Sequence, residues 1–279
     1  MGVAATGAHG IDPGARVGVC LSSGFFGFFA HAGFALALEE LGVRPAAASG
    51  SSAGAIVAAL WASGRSAAEI RVRLLSLRRA EFWDPAPPLD WLRGPPGLLR
   101  GEAMQRLLER HLACRTFEEC RFPVTVNAFD VGLRRAVRLS AGPLAPAVRA
   151  SASLPGLFQP PRLDGRWLLD AGFVEKTPVE PLLERPDLDL VLVHHLRSAA
   201  APATRAGRPR PLEVARAALE ALRGRLDEAL LEAAARRGRR LVVVEPDPPR
   251  CGPFRLDRGP AAVEAARTHA LRVLGGSAR

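Results

Sequence analysis

The amino-acid sequence predicts an α/β protein in which helices alternate with the strands of a parallel or mixed sheet. Val17–Leu21 is an apolar run, and a segment of helical character follows it, which is the order of a βα unit. The run at 188–196 (LDLVLVHHL) is typical of a strand buried in a parallel sheet. Two glycine-punctuated turns, at 23–27 and 50–54, each leave an apolar run and enter a helical segment.

The remaining elements follow in chain order from hydrophobic spacing and from flanking glycines. Ile70, Leu74 and Leu77, for example, share one face of a helix, whereas arginines occupy the other face. Helices are predicted at 28–41, 66–82, 101–112, 144–153, 212–237 and 261–274. Strands are predicted at 17–21, 122–131, 134–139, 167–169, 188–196 and 241–245, with a hairpin turn at Gly132.

The second glycine turn, Gly50-Ser51-Ser52-Ala53-Gly54, fits the pattern GxSxG. In such a turn the serine lies at the tip of a sharp bend from strand to helix, where glycines avoid a clash with neighbouring backbone. The apolar segment 53–61 supplies the helix, whose N-terminal amides and positive dipole end point toward charge developing near Ser52. The pattern predicts either a nucleophile elbow or an ordinary helix N-cap turn.

The first glycine turn consists of Gly24, Phe25, Phe26 and Gly27. Consecutive backbone N–H groups in such a turn can point toward one oxyanion or anion. A phosphate-binding turn and a plain βα turn are the alternatives. The turn has neither the GxGxxG pattern of dinucleotide sites nor the Gly-Lys-Ser/Thr ending of a phosphate loop.

A candidate base lies downstream, where the apolar run at 167–169 ends in Asp170, Ala171 and Gly172. Small residues after an aspartate allow it to approach another backbone turn closely, so Asp170 is predicted to reach Ser52. The alternative is a solvated aspartate of a surface turn.

These motifs, with the segment 150–161 (ASASLPGLFQPP) and the pair Pro178-Val179, resemble the patatin-like phospholipase family in that family's order. The resemblance implies a three-layer α/β/α fold with a central, mostly parallel sheet. It implies a Ser-Asp dyad in which Ser52 is the nucleophile and Asp170 the base. The oxyanion hole would then be the turn of Gly24, Phe25, Phe26 and Gly27, with Gly50, Gly54 and Gly172 supporting the elbow and the aspartate turn.

The sequence departs from the family pattern at three points. Its glycine turn contains Ser23, Phe25 and Phe26 where the family is usually richer in glycine and often has a basic residue. Five residues rather than four separate Gly27 from Gly33, and the aspartate is followed by Ala-Gly rather than Gly-Gly or Gly-Ala. The first two departures concern the details of the oxyanion hole.

The activity that the resemblance implies is that of a lipid acyl hydrolase, a phospholipase or esterase that forms an acyl-enzyme without a cofactor or metal. Phe25, Phe26, Phe28 and Phe29 would suit the acyl chain of a lipid ester. Two alternatives stay open. One is an α/β-hydrolase triad of Ser52, Asp170 and either His194 or His195, since the order Ser, Asp, His is met. The other is a non-catalytic lipid-binding or regulatory module on the same fold.

Charge is unevenly distributed along the chain. The formal net charge is +10, and residues 196–279 contain 17 arginines against 9 acidic residues. Such a segment attracts anionic surfaces, which predicts peripheral contact with anionic membrane. The four cysteines match no CxxC or metal pattern and the N-terminus lacks a signal-type pattern, so a cytoplasmic protein with reduced thiols is expected. The sequence contains no basic run interleaved with aromatic residues, which is the pattern that would indicate nucleic-acid binding. The Pro- and Trp-rich stretch at 83–100 is a candidate membrane contact or lid, or a segment that folds back onto the core.

The domain organisation expected from these patterns is simple. Residues 1–15 are expected to be disordered, and 16–279 are expected to form one catalytic domain of the patatin-like type. Within it, 196–211 would be a linker-like loop, and 212–279 a basic C-terminal part packed on the same domain.

Overall fold

The computed structural model describes residues 11, 12, 14–87, 97–197, 211–236 and 240–275. Its helices are α1 Phe28–Glu40, α2 Ala53–Ala62, α3 Ala67–Leu75, α4 Glu102–His111, α5 Leu144–Ala152, α6 Glu180–Leu183, α7 Pro211–Ala235 and α8 Gly259–Leu274. Its strands are β1 Val17–Leu21, β2 Pro45–Gly50, β3 Gly97–Leu99, β4 Val124–Asp130, β5 Arg135–Leu139, β6 Gly156–Phe158, β7 Arg162–Leu163, β8 Arg166–Leu169, β9 Leu190–His194 and β10 Arg240–Val244.

The central sheet has the strand order β10-β9-β1-β2-β4-β8-β7, with β5 also paired to β4. The five strands from β10 to β4 in that order run parallel, whereas β5 and β8 lie antiparallel to β4. The run at 188–196 therefore forms a strand between two parallel neighbours. The prediction of a mostly parallel sheet is confirmed.

Side chains of the central strands alternate between two apolar clusters, one on each face of the sheet. Val19, Leu192 and Val242 share a level and pack toward one face, whereas Cys20, Val193 and Val243 share the next level and pack toward the other. The first face is covered by helices that include α1, α2 and α8, the second by α6 and α7. Burial on both faces gives the three-layer α/β/α arrangement.

Three differences from the sequence expectations concern local structure. The helix predicted at 66–82 ends at Leu75, because Arg78 is extended (φ −113°, ψ 139°) and separates α3 from a 3₁₀ turn at Arg79–Glu81. The small parallel sheet of β3 and β6 was not predicted, since strands of three residues show too little periodicity. Several other elements are one or two residues shorter at their ends than predicted.

Some expectations fall on residues outside the described ranges. They include most of the N-terminal stretch predicted to be disordered, the linker from 198 to 210 and the centre of the Pro- and Trp-rich stretch, 88–96. Among the helices that the structure describes, none combines the length and the apolar character needed to cross a membrane.

Candidate active site

The elbow around Ser52 joins β2 to α2 through a strained backbone. Ser52 has φ 54° and ψ −118°, in the left-handed half of conformational space that a residue with a side chain rarely occupies. A methyl group on Gly54 would overlap the carbonyl oxygen of Leu21, and one on Gly50 would lie 2.6 Å from Gly54. Glycine is therefore required on both sides of Ser52 by close backbone packing.

Two hydrogen bonds hold the elbow against its neighbours. The Ser52 N–H donates to the Ser151 hydroxyl at the end of α5 (3.0 Å), and the Ser51 N–H donates to the Leu21 carbonyl at the end of β1 (3.1 Å). Ser52 remains 8% exposed, whereas Ser51 is fully buried and its hydroxyl has no partner among the described residues. Only the Ser52 hydroxyl of this pair is thus open to a substrate.

Asp170 is buried at the end of β8, at 2% exposure. Its N–H donates to the Ser153 carbonyl (2.9 Å), and its carboxylate accepts from the Gly172 N–H through Oδ1 (2.7 Å). A methyl group on Gly172 would overlap the Ser23 side chain, beside the first glycine turn. The aspartate turn therefore packs directly against the segment that leads into that turn.

Ser52 and Asp170 lie near the same edge of the sheet, on either side of β4. Gly50, the last residue of β2, pairs with Val126 of the parallel strand β4, and Ser52 follows two residues later in the bend that starts α2. Phe129 pairs with Leu169 of the antiparallel strand β8, so the next residue, Asp170, falls at the level of Ala128. Both residues also bond to the last turn of α5, through Ser151 and Ser153, which brings them together at the carboxyl edge of the sheet.

The first glycine turn leaves β1 and starts α1. Phe26 has φ 55°, and the Gly27 N–H donates to the Gly24 carbonyl (2.8 Å), which closes the turn. The N–H groups of Gly24, Phe25 and Phe26 donate to none of the described residues. Three of the four amides assigned to an oxyanion hole thus remain available, whereas the fourth is used within the turn.

The four phenylalanines of this region do not form one acyl-binding surface. Phe28 and Phe29 are buried in the core, and Phe26 packs between Phe28 and Phe82 at ring distances of 5.3 and 5.9 Å. Phe25 is 59% exposed. The expectation that all four would line a lipid chain is corrected for Phe28 and Phe29, which the helix periodicity of α1 turns into the core.

A pair of buried histidines supports the chain just before the glycine turn. His31 Nε2 bonds to the Ser22 carbonyl (2.8 Å), and His31 Nδ1 lies 2.7 Å from His194 Nδ1. Burial lowers the pKa of His31 to about 4 and that of His194 well below its ordinary value. A carbonyl only accepts, so neutral His31 carries its proton on Nε2, and His194 donates from Nδ1. His194 Nε2 is then a lone pair without a partner among the described residues.

His195, which directly follows β9, does not join the His31–His194 pair and bonds to other residues. Its Nδ1 lies 3.1 Å from the Thr177 hydroxyl, and its Nε2 lies 3.2 Å from an Asp227 oxygen. Despite that carboxylate, burial and the nearby Lys176 and Arg197 charges lower the pKa of His195 to about 3. The closest polar partners described for these two rings are His31, Thr177 and Asp227, and His194 stacks on Phe34 at 4.4 Å.

Sequence reasoning missed Ser151 and Ser153 as supports of the site. Both lie in the segment 150–161 that carries part of the family resemblance, yet a serine in a small-residue run gives no signal of which backbone group it bonds. The position of His31 in the first turns of α1 favours a packing or hydrogen-bonding role beside the glycine turn, and its bond to the Ser22 carbonyl confirms that role. Ser22 was missed, because its partners lie on separate elements. Only the fold brings these residues to the glycine turn and the elbow.

Comparison with known sequences identifies this arrangement. The Patatin-like phospholipase family model matches residues 19–183, more than half of the chain. The chain belongs to the patatin-like phospholipase family. The matched range includes the glycine turn, Ser52 and Asp170, whereas His194 and His195 lie beyond it.

Individual relatives of this patatin-like chain share about 30% of its residues or fewer over the matched segments. It is 30% identical over 196 residues to an uncharacterized NTE family protein of Mycobacterium tuberculosis, in a match that covers 70% of this chain and 52% of that protein. A lysophospholipase of Cryptococcus neoformans is 27% identical over 186 residues, which cover 64% of this chain and 11% of the fungal protein. The chain thus spans about half the length of the mycobacterial relative.

A solved structure shares the patatin-like fold. VipD from Legionella pneumophila superposes with a TM-score of 0.50 and 16% identity, over 94% of this chain and 67% of VipD. At this identity the likeness concerns the fold alone, and it agrees with the three-layer architecture described above.

Proposed function

We propose that the chain is a serine lipid acyl hydrolase in which Ser52 and Asp170 act as a catalytic dyad. The observation that carries the proposal is the attachment of both residues to the C-terminal end of α5, Ser52 through the Ser151 hydroxyl and Asp170 through the Ser153 carbonyl. A strained, glycine-flanked serine beside a buried carboxylate has no evident role in stability, because strain of this kind costs about 1–3 kcal/mol. Nucleophilic catalysis accounts for both features.

The reaction begins when an acyl ester places its carbonyl oxygen against the N–H groups of Gly24, Phe25 and Phe26. Ser52 Oγ attacks the carbonyl carbon while Asp170 accepts the hydroxyl proton, and the tetrahedral oxyanion is stabilised by about 3–4 kcal/mol. The ester C–O bond then breaks, and the proton passes to the departing alkoxide. This step leaves an acyl group on Ser52 and releases the alcohol.

Hydrolysis of the acyl-enzyme repeats these steps with water as the nucleophile. Asp170 accepts a proton from the water, whose oxygen attacks the acyl carbon. The tetrahedral intermediate collapses with cleavage of the bond to Ser52 Oγ, and the proton returns to Ser52. The products are a free carboxylic acid and the original enzyme.

A dyad explains the contacts better than the triad with histidine. His194 is fully buried and bonded to His31, and His195 is engaged with Thr177 and Asp227. The lowered pKa of each ring also makes it a weak base near neutral pH. These observations support Asp170 as the group that accepts the serine proton.

The lipid nature of the substrate rests on family membership. The fungal relative is named a lysophospholipase, and the mycobacterial relative is uncharacterized. We infer an ester of a long-chain carboxylic acid as the substrate class for this chain.

Labelling with a fluorophosphonate probe tests the proposal directly. The probe should modify wild-type protein and the control Ser51→Ala, and Ser52→Ala should lose both labelling and hydrolysis of a p-nitrophenyl ester. Ser51 is the matched control because it is the adjacent serine and its buried hydroxyl has no partner among the described residues. Labelling that persists in Ser52→Ala would contradict the nucleophile assignment, and an unlabelled, inactive wild-type protein would favour the non-catalytic module.

A further inference from the structure

Exposed apolar side chains gather around the edge of the sheet that carries Ser52. Ser52 follows the carboxyl end of β2, and the carboxyl ends of the parallel strands share this edge. Phe25 follows β1, Phe254 follows β10, and Leu133 follows β4, and all three are more than half exposed. Exposed aromatic and aliphatic side chains that recur at one edge of a sheet mark an interaction surface.

The first group, here called the Phe254 cluster, consists of Phe25, Trp83, Phe254 and Arg79. Phe254 is 72% exposed, and its ring lies 6.0 Å from that of Trp83 in an edge-to-face contact. The Arg79 guanidinium lies over both rings, 4.7 Å from Phe254 and 5.8 Å from Trp83. Phe25 lies beside Gly252, two residues before Phe254. The cluster therefore adjoins the glycine turn.

The second group, here called the Trp167 cluster, consists of Val131, Leu133, Trp167 and Arg162. Val131 is 42% exposed, Leu133 is 54% exposed and Trp167 is 41% exposed. The Val131 N–H donates to the Trp167 carbonyl (3.0 Å), and the Arg162 guanidinium lies 5.8 Å from the Trp167 ring. Because Phe129 pairs with Leu169 and Val131 bonds to Trp167, this cluster lies past Asp170 in the direction of the carboxyl end of β4.

The two clusters flank the candidate site. In the strand order β10-β9-β1-β2-β4-β8-β7, the Phe254 cluster adjoins the β10 and β1 side, and the Trp167 cluster follows β4 and precedes Asp170 on β8. Ser52, which follows β2, lies between them in this order. A flat surface that touched both clusters would therefore meet the opening of the site.

Both clusters carry excess positive charge on exposed or partly exposed side chains. Around the Trp167 cluster these are Arg134, Arg135, Arg162 and Arg166, against Asp164. Around the Phe254 cluster they are Arg79, Arg250, Arg255 and Arg258, against Glu81, Asp84 and Asp257. Aromatic rings at the level of lipid headgroups, with arginines beside them, are the side chains that peripheral proteins place in an anionic membrane interface.

We propose that these two clusters seat the carboxyl edge of the sheet on an anionic phospholipid bilayer, with Ser52 facing the lipid between them. The inference deepens the proposed function, on which it rests for the lipid nature of the substrate. It also differs from the sequence expectation, because the contact is built from several loops and includes only Trp83 from the stretch at 83–100.

The test measures binding of the full chain to phosphatidylglycerol–phosphatidylcholine vesicles and to vesicles of phosphatidylcholine alone. The apolar variant is Leu133→Ser with Phe254→Ser, and the charge variant is Arg134→Gln with Arg255→Gln. The matched control is Arg71→Gln with Val72→Ser on α3. Val72 is 61% exposed, but α3 packs on α1 and belongs to neither cluster. None of these residues belongs to the proposed catalytic machinery.

We expect wild-type protein to prefer the anionic vesicles and to bind them less tightly as salt concentration rises. Each double variant should weaken binding by about tenfold or more, since each arginine at such a surface and each inserted apolar side chain contributes to affinity. The control variant should bind like the wild type, and hydrolysis of a soluble short-chain ester should be unchanged in all three variants.

Failure of this proposal is distinguishable from failure of the proposed function. Hydrolysis of the soluble ester without preference for anionic vesicles would overturn the docking surface and leave the hydrolase intact. Vesicle binding that both double variants weaken, in a protein that neither labels nor hydrolyses an ester, would uphold the surface and overturn the hydrolase. Equal weakening by the control variant would also overturn the docking surface.

Discussion

At the scale of single residues, the backbone of Ser52 requires explanation. A residue with a side chain at φ 54° and ψ −118° adopts that conformation only where its surroundings hold it. Here the Ser151 hydroxyl accepts the Ser52 N–H, and the glycines at 50 and 54 allow the neighbouring backbone to close around the turn. Ser151 is therefore a positioning residue that acts on the hydroxyl of Ser52 through its backbone.

Replacing Ser151 with alanine should lower kcat for ester hydrolysis by about tenfold and leave KM nearly unchanged, because the elbow loses one restraint but the substrate loses no contact. Ser153→Ala is the matched control, since Asp170 bonds to the Ser153 backbone carbonyl, which this variant keeps. Steady-state kinetics on a soluble ester measure both parameters. Equal losses in the two variants would indicate general damage to α5 rather than positioning of Ser52.

Asp170→Asn tests the base. Asparagine keeps an oxygen that can accept the Gly172 N–H, but it cannot accept the serine proton, so kcat should fall by several orders of magnitude. Asp130→Asn is the control, because Asp130 is also buried and also accepts turn N–H groups, from Gly132 and Leu133. Its activity should stay close to that of the wild type.

A loss of less than about tenfold in Asp170→Asn would contradict the dyad and transfer the role to a histidine. Single replacements of His194 and His195 by glutamine would then identify which one. Under the dyad, both replacements affect stability more than the chemical step, because each ring bonds within the fold.

At the scale of elements, the sequence predicts the turns better than the contacts between them. GxSxG indicates the elbow, because the glycines it requires are themselves the steric signal. The bond from Ser52 to Ser151 joins residues 99 positions apart, and no local pattern encodes such a pairing. The same limit applies to β3 and β6, whose three-residue strands become visible only once they pair.

Helices α1 and α8 illustrate a contact that depends on one glycine. A methyl group on Gly33 of α1 would overlap the Val263 carbonyl oxygen and lie 2.9 Å from its carbon, both in the backbone of α8. Backbone atoms cannot rotate away as a side chain can. The helices must therefore separate if Gly33 acquires a side chain.

We expect Gly33→Ala to lower the free energy of unfolding by about 1–3 kcal/mol, the usual cost of overpacking. Gly224→Ala in α7 is the matched control, because a methyl group there has no neighbour within 4 Å in the part of the chain that the structure describes. That control should be neutral or stabilising by up to about 1 kcal/mol, since alanine favours helix. Urea denaturation measures both. A Gly33→Ala protein as stable as the wild type would show that the α1–α8 contact is loose.

At the scale of the whole molecule, apolar spacing predicted a parallel or mixed sheet, and the family resemblance narrowed this to a mostly parallel one. Strands β1 and β9 have buried side chains on alternate faces, so their apolar runs predicted strands in the centre of the sheet. The sequence did not predict how polar residues inside that centre would be satisfied. His31 and His194 lie 163 positions apart, and neither residue alone indicates a buried pair.

This buried pair makes the stability of the molecule depend on pH. Burial lowers the pKa of His31 from 6.5 to about 4 and that of His194 well below 6.5. Between about pH 4 and pH 6.5 the unfolded chain binds protons that the folded chain does not. The free energy of unfolding therefore rises with pH across this window. The stabilisation is complete above pH 6.5 and is lost as pH falls toward 4.

His194→Gln should therefore reduce the slope of stability against pH between 6.5 and 4. Each buried histidine contributes up to about 1.4 kcal/mol per pH unit, and the variant removes one such group. It should also be less stable than the wild type at pH 7, because the ring stacks on Phe34 and bonds to His31. Urea denaturation at several pH values measures both effects. His111→Gln, at a half-buried site, is the control and should change the slope less. If the slope of His194→Gln equals that of the wild type, His194 is protonated, and therefore charged, inside the fold.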